Sequence, residues 1–228
     1  MFTKKVIGLS EVLFILMIIL CLITTYCMYK FLNKQGLYFM LISFILLSIV
    51  LSYKIINIFN FNLNIGIVPY MMIFSVIYII LTKFNENEKK PIFRISLITS
   101  LFTIVSILLS CFYIHLVEDN IATNINTLFL NNYKILILYP IVLLFEEIIY
   151  FDLYNKLQKK YESVFVTNII ICLILSILST FVTTSLTYIN ILNYNQIIDL
   201  TLTNYLFKIF ITLSTIPLMF NITKKVER

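Results

Sequence analysis

Tryptophan is absent from this chain, glycine occurs three times, and histidine once. Three glycines cannot build a phosphate-cradling loop or a GxGxxG turn, so no nucleotide-binding fingerprint is present. One imidazole, His115, cannot supply the ligand set of a catalytic zinc site. Nor can it complete a Ser-His-Asp set, because the acids near it, Glu118 and Asp119, lie in a loop. His115 reads as an interfacial residue. Charge is scarce as well. Asp, Glu, Lys and Arg make up 12% of residues, against roughly 25% in soluble domains. That excludes an ordinary soluble domain. The cysteines Cys21, Cys27, Cys111 and Cys172 stand singly in apolar runs without CxxC spacing, and read as buried free thiols.

What remains is apolar. Hydrophobic residues make up 61% of the chain, and the mean hydropathy is +0.99. Several runs approach the ~20 residues needed to cross about 30 Å of hydrocarbon. The expected fold is all-α, a polytopic transmembrane helix bundle of about seven helices in a single domain over residues 1–228. The helices are expected at about Ile7–Tyr29, Leu37–Phe59, Ile65–Thr82, Ile92–Val117, Lys134–Leu157, Val164–Ile191 and Leu200–Ile222. The sixth has a candidate break near Thr183-Thr184. Lys4 and Lys5 precede the first run as in a signal peptide, but no small-residue cleavage site follows, so a retained helix is expected. Tyrosine (15) and phenylalanine (20) are plentiful, and Tyr can take the interfacial role that Trp often has.

Basic residues set the orientation. Lys30, Lys34, Lys83, Lys89, Lys90, Arg94, Lys156, Lys159, Lys160, Lys224, Lys225 and Arg228 fall on one side of this topology. Lys4, Lys5, Lys54 and Lys134 fall on the other. The bias places the first set and the C-terminus in the cytoplasm of a cell-membrane protein. The arrangement is simplest as a six-helix core over residues 37–222 plus one extra helix within residues 1–30. The net charge of +6 is therefore membrane topology, not a nucleic-acid signal.

The chain is organised around the stretch from Lys134 to Lys160. Between Ile135 and Phe151 it is apolar except for Tyr139, Pro140, Tyr150 and two adjacent acids, Glu146 and Glu147. An acid at mid-depth costs about 2.5–3.5 kcal/mol on insertion scales, so such residues usually face a polar cavity or a partner. One more charge is buried in a run, Lys208. Glu147 lies about 20 Å from the outer end of its helix and Lys208 about 12 Å at 1.5 Å per residue, so a Glu147–Lys208 pair is within reach. Ser176, Ser179, Thr180, Thr183 and Thr184 follow i, i+3, i+4 spacing and share one helix face.

Two resemblances follow from these residues. EEIIYF (Glu146–Phe151) resembles the Glu-Glu-x-x-x-Arg motif of the CAAX-protease and bacteriocin-processing family, with Phe151 at the Arg place and no histidine on later helices. That implies a catalytically inactive relative with an interaction or immunity role. The broader resemblance runs from about Thr24 to the C-terminus. MYKFLNKQGLY (Met28–Tyr38), the stretch with Gly66, Tyr70 and Phe74, FEEIIYFDLYNKLQKKY, and NYLFKIFITLSTIPLMF (Asn204–Phe220) are similar to the VUT family of vitamin-uptake or queuosine-precursor transporters. Glu147 takes the place of a family Asp, and Asn168, Thr180, Tyr205 and Lys208 match or conservatively replace family residues. Tyr78, Thr82, Leu144, Thr167, Ser176 and Ser179 stand where the family has other polar groups. The resemblance implies uptake of a small heterocycle of the 7-deazaguanine type. Its substrate-binding residues would be Glu147, Asn168, Tyr70, Thr180, Tyr205 and Lys208, with Glu147 the principal cavity residue and Glu146 secondary. No enzymatic activity, cofactor or metal is expected. The partners expected are the lipid bilayer and the solute.

Overall fold

The computed structural model describes residues 8–59, 61–84, 86–112, 129, 133–158, 164–188 and 193–223. His115 and most of the 118–133 loop fall outside this set. The described chain forms a helical bundle. Helix α1 spans Leu9–Leu51 and is broken at Asn33. A two-stranded antiparallel hairpin follows, β1 Ile55–Ile58 and β2 Phe61–Asn64. Then come α2 Ile67–Lys83, a single 3-10 turn Glu86–Glu88, α3 Lys89–Phe112, α4 Tyr133–Gln158, α5 Val164–Tyr188 and α6 Tyr194–Thr223. Four of the six helices, α1, α3, α5 and α6, are long and apolar enough to cross a membrane. Helix α2 is apolar but has only 17 residues.

Among the described residues the expected segments appear as six helices, because the first two join at Asn33. Its φ of 52° lies in the left-handed region, which Asn tolerates better than most residues. The bend brings Gly36 against Met28, eight residues earlier. A Cβ on Gly36 would sit 2.1 Å from the Met28 carbonyl oxygen. That neighbour is backbone and cannot rotate away, so only glycine fits. Gly36→Ala is expected to destabilise the protein by about 1–3 kcal/mol, the usual penalty of overpacking. An unchanged melting temperature in the solubilised variant would refute the close approach.

The second segment was expected to be helical to Phe59. It ends at Leu51, and residues 55–64 form the hairpin instead. The local pattern explains this. Apolar and Asn residues alternate through Phe61-Asn62-Leu63-Asn64, the period of a strand. Ile58 pairs with Phe61, and Phe59 adopts φ 51°, as two-residue hairpin loops require. Ile58 and Leu63 are fully buried, so the hairpin closes one end of the core. Asn64 is its anchor. Its Nδ2 donates to the Ser52 carbonyl (2.8 Å), its Oδ1 accepts from Gly66 N–H (2.8 Å), and its own N–H donates to Asn204 Oδ1 (3.2 Å). Side chain and backbone of this one residue thereby tie the end of α1, the start of α2 and α6 together.

Helix α2 is the axis of the bundle. Every residue from Ile67 to Leu81 is buried, as expected of a helix that is apolar all round. It packs on α1 and α6, while α4 packs on α3 and α5, and α5 on α6. Helix α5 runs without a break through Thr183-Thr184 to Tyr188. Helix α6 starts at Tyr194, six residues before the expected Leu200.

The basic residues collect at the end opposite the hairpin. Lys83 Nζ donates to the Ile222 carbonyl (2.8 Å), Lys89 Nζ donates to Asn155 Oδ1, and Lys34 Nζ donates to Glu88 Oε1 at 2.6 Å. Tyr38 also donates to Glu88, through Oε2. The bonds from Lys34 and then Tyr38 hold the Glu88 carboxyl below its usual value. A depressed folded-state value means the stabilisation is complete above the unfolded carboxyl value of about 4.3. It is lost as pH falls through the folded value. Glu88→Gln is therefore expected to destabilise the protein modestly at pH 7, by at most about 1 kcal/mol for a part-exposed pair, read as a small fall in melting temperature. The gap should close as the pH is lowered below about 4. A gap independent of pH would contradict the charged contact.

Candidate functional site: the buried centre of α2, α4, α5 and α6

Helix α4 presents two adjacent acids to different neighbours. Glu146 and Glu147 are both buried, 3% and 0% exposed. They point about 100° apart around the helix axis. Both are buried because α4 lies between α3 and α5, which makes its covered face wide.

Glu147 faces α3. Ser96 Oγ donates to Glu147 Oε1 at 2.5 Å, and Oε2 has no hydrogen-bond partner among the described residues. Ser96 heads a stripe with Thr99, Ser100 and Thr103, all buried. That i, i+3, i+4, i+7 spacing was readable in the sequence and is the signal that α3 turns a polar face to α4.

Glu146 faces the centre. Tyr70 Oη on α2 donates to Glu146 Oε2. Ser179 of α5 lies beside the carboxylate. Lys208 Nζ on α6 donates to Ser179 Oγ at 2.6 Å and sits 4.9 Å from the centroid of the Tyr70 ring. Lys208 and Glu146 are within electrostatic reach, with the Ser179 hydroxyl between them rather than a direct ion pair. The remaining oxygen, Glu146 Oε1, has no hydrogen-bond partner among the described residues. A cavity of about 280 Å³ lies between α4 and α5 next to Glu146 and Ser179; its exposed wall is apolar, from Val142, Phe145, Ile149 and Leu178 among others, and Oε1 is covered from it.

Local structure explains the convergence. Lys208 lies one turn beyond Asn204, whose side chain is held by the Asn64 backbone. The hairpin anchor thus sets the rotation of α6 and turns Lys208 inward. Tyr70 lies one turn into α2, after Gly66. A Cβ at Gly66 would fall 2.7 Å from the Ser48 oxygen and the Ser52 nitrogen, so glycine lets α2 start against α1.

The six residues expected to bind substrate do not all meet. Tyr70 and Lys208 join the centre. Glu147 does not: the lysine lies with Glu146, so the expected Glu147–Lys208 pairing is corrected to Lys208–Ser179–Glu146. Asn168 belongs to a second cluster. Tyr150 Oη donates to Asn168 Oδ1 at 2.6 Å, and Asn168 Nδ2 approaches Met219 Sδ at 3.4 Å. Tyr70, Phe74 and Tyr150 link the two clusters in series, with ring centroids 5.8 Å apart at each step. Thr180 is buried, and its hydroxyl has no hydrogen-bond partner among the described residues. Tyr205 is part-exposed. No hydrogen bond or ring contact joins it to the centre among the described residues. Ser176, Ser179, Thr180, Thr183 and Thr184 are all buried, as their shared face requires.

Comparison with known protein families, with curated proteins and with solved structures finds no match. The chemistry of the centre therefore rests on its own geometry. It offers one buried carboxylate with a free acceptor, a buried ammonium two bonds away, and an aromatic face at the side.

Proposed function

We propose that this chain is a polytopic cell-membrane transporter that takes up a small heterocycle, by resemblance a queuosine precursor of the 7-deazaguanine type. The observation that carries the reading is a buried Glu146 whose Oε1 has no hydrogen-bond partner among the described residues, packed next to a 280 Å³ cavity with an apolar wall. An unsatisfied buried acceptor is penalised by roughly 1–3 kcal/mol, more when charged. A solute in that cavity that donates an N–H once the Glu146 side chain turns toward it relieves that penalty. Lys208, nearby through Ser179, compensates the carboxylate. The cavity is near the lower end of small-ligand sites, which run about 300–1,000 Å³, and suits a bicyclic base. The bundle crosses the bilayer with its basic end, and hence the C-terminus, in the cytoplasm. The two arms of α1 give the extra helix and the first core helix.

The test is precursor-dependent queuosine in tRNA, in cells that lack both the biosynthetic pathway and their own importer. Expression of this chain restores queuosine at micromolar precursor. If queuosine stays absent at every precursor dose while the protein is present in the membrane, the substrate assignment fails.

A second reading is favoured by one observation: both acids of the Glu146-Glu147 pair are buried and each faces a serine of a neighbouring helix. This suits a catalytically inactive CAAX-protease-like membrane protein with an interaction or immunity role. It predicts that a partner protein co-purifies with the chain and that precursor uptake is unchanged by its deletion.

A further inference from the structure

Away from the centre, a second cavity of about 340 Å³ lies between α3 and α4 at the basic end of the bundle. Lys89, Lys90, Arg94 and Asp152 line it. Its remaining walls are Phe93, Ile148 and Phe151. Lys89 is already engaged by Asn155 and the Tyr154 ring. Lys90 and Arg94, four residues apart on one face, are exposed and carry no hydrogen bond or ion pair among the described residues. Three cations against one carboxylate leave the cavity two positive charges in excess.

We propose that this cavity binds the headgroup of an anionic glycerophospholipid, with the phosphate between Lys90 and Arg94. The apolar walls favour a lipid over a soluble phosphate. Below Arg94, at i+3, i+4 and i+7, α3 presents Leu97, Ile98 and Leu101, each exposed. On the outer face of α4, Ile141, Phe145 and Ile148 are also exposed. An apolar track therefore runs from the cations toward mid-bundle, where an acyl chain would lie. Basic pockets between membrane helices on the cytoplasmic side bind such headgroups by this combination. The Asp152 carboxylate accepts a headgroup hydroxyl, which selects phosphatidylglycerol over phosphatidylcholine. This inference rests on the membrane-embedded reading but not on transport.

The test is native mass spectrometry of the full chain from micelles containing phosphatidylglycerol or phosphatidylcholine with the same acyl chains. Phosphatidylglycerol remains bound in preference. A Lys90→Gln/Arg94→Gln variant loses roughly 25-fold in occupancy, about fivefold for each cation near the surface. A Lys90→Arg/Arg94→Lys variant keeps the charge and keeps the lipid, which separates loss of the site from loss of folding. Equal retention by the Gln variant overturns the proposal. So does displacement of the lipid by millimolar inorganic phosphate, which would mark a soluble-anion site. A chain that is monodisperse without detergent would instead overturn the membrane reading itself.

Discussion

On the proposed uptake function, Glu146→Gln is expected to lower solute uptake by roughly 10- to 100-fold, and Glu147→Gln to leave it within about twofold. The two residues are adjacent, equally acidic and equally buried, so composition cannot separate them. Their partners do. Glu146 adjoins the cavity between α4 and α5 and has Lys208 nearby through Ser179, whereas each acid alike leaves one oxygen without a hydrogen-bond partner among the described residues. Glu147 is spent on Ser96. Replacing the Glu146 carboxylate by an amide removes a charged acceptor worth about 1.5–3 kcal/mol. Uptake should therefore fall by roughly 10- to 100-fold. Glu147→Ala is expected to show a different defect: it leaves Ser96 unpartnered and opens a void between α3 and α4, lowering stability by about 2–5 kcal/mol. Initial uptake rate and melting temperature, measured on the same preparations, check both. Loss of uptake in Glu147→Gln with normal uptake in Glu146→Gln would reverse the assignment of the centre.

The second large effect concerns Lys208. Lys208→Met strips the buried carboxylate of its compensating charge and is expected to destabilise the protein by about 3–5 kcal/mol. At this chain length that corresponds to a fall of roughly 10 °C or more in melting temperature. The double variant Glu146→Gln/Lys208→Met removes both charges and should recover most of the loss, because a buried pair replaced together is often neutral. The recovery is read as a coupling energy from the double-mutant cycle. Additive losses would mean that the two residues do not sense each other across Ser179.

Much of the scaffold was legible in advance. Apolar runs with flanking lysines located α2 and α4 to within two residues at each end, because helix length and flanking charge are local properties. The buried face of Ser176, Ser179, Thr180, Thr183 and Thr184 followed from spacing alone. The hairpin at residues 55–64 was obscured because Ile and Phe also extend an apolar helix. Its Asn alternation was the signal that decided otherwise. Asn168 was placed with Glu147 by linear correspondence, whereas the packing of α4 on α5 gives it to Tyr150.

The sequence by itself determined an all-helical, strongly apolar chain with one pair of acids and one lysine in its apolar runs. It also determined that these charges had to find polar company, since nothing else about an apolar helix would tolerate them. Only the tertiary structure decided which acid found which partner. In a soluble helix a polar outer face reveals the rotation. Here the outer face of α4 is apolar too, with Ile137, Ile141, Phe145 and Ile148 exposed. Hydropathy along α4 therefore carries almost no rotational information. The rotation is set elsewhere, by Ser96 on one side, and by Tyr70, Ser179 and the Asn64-anchored α6 on the other.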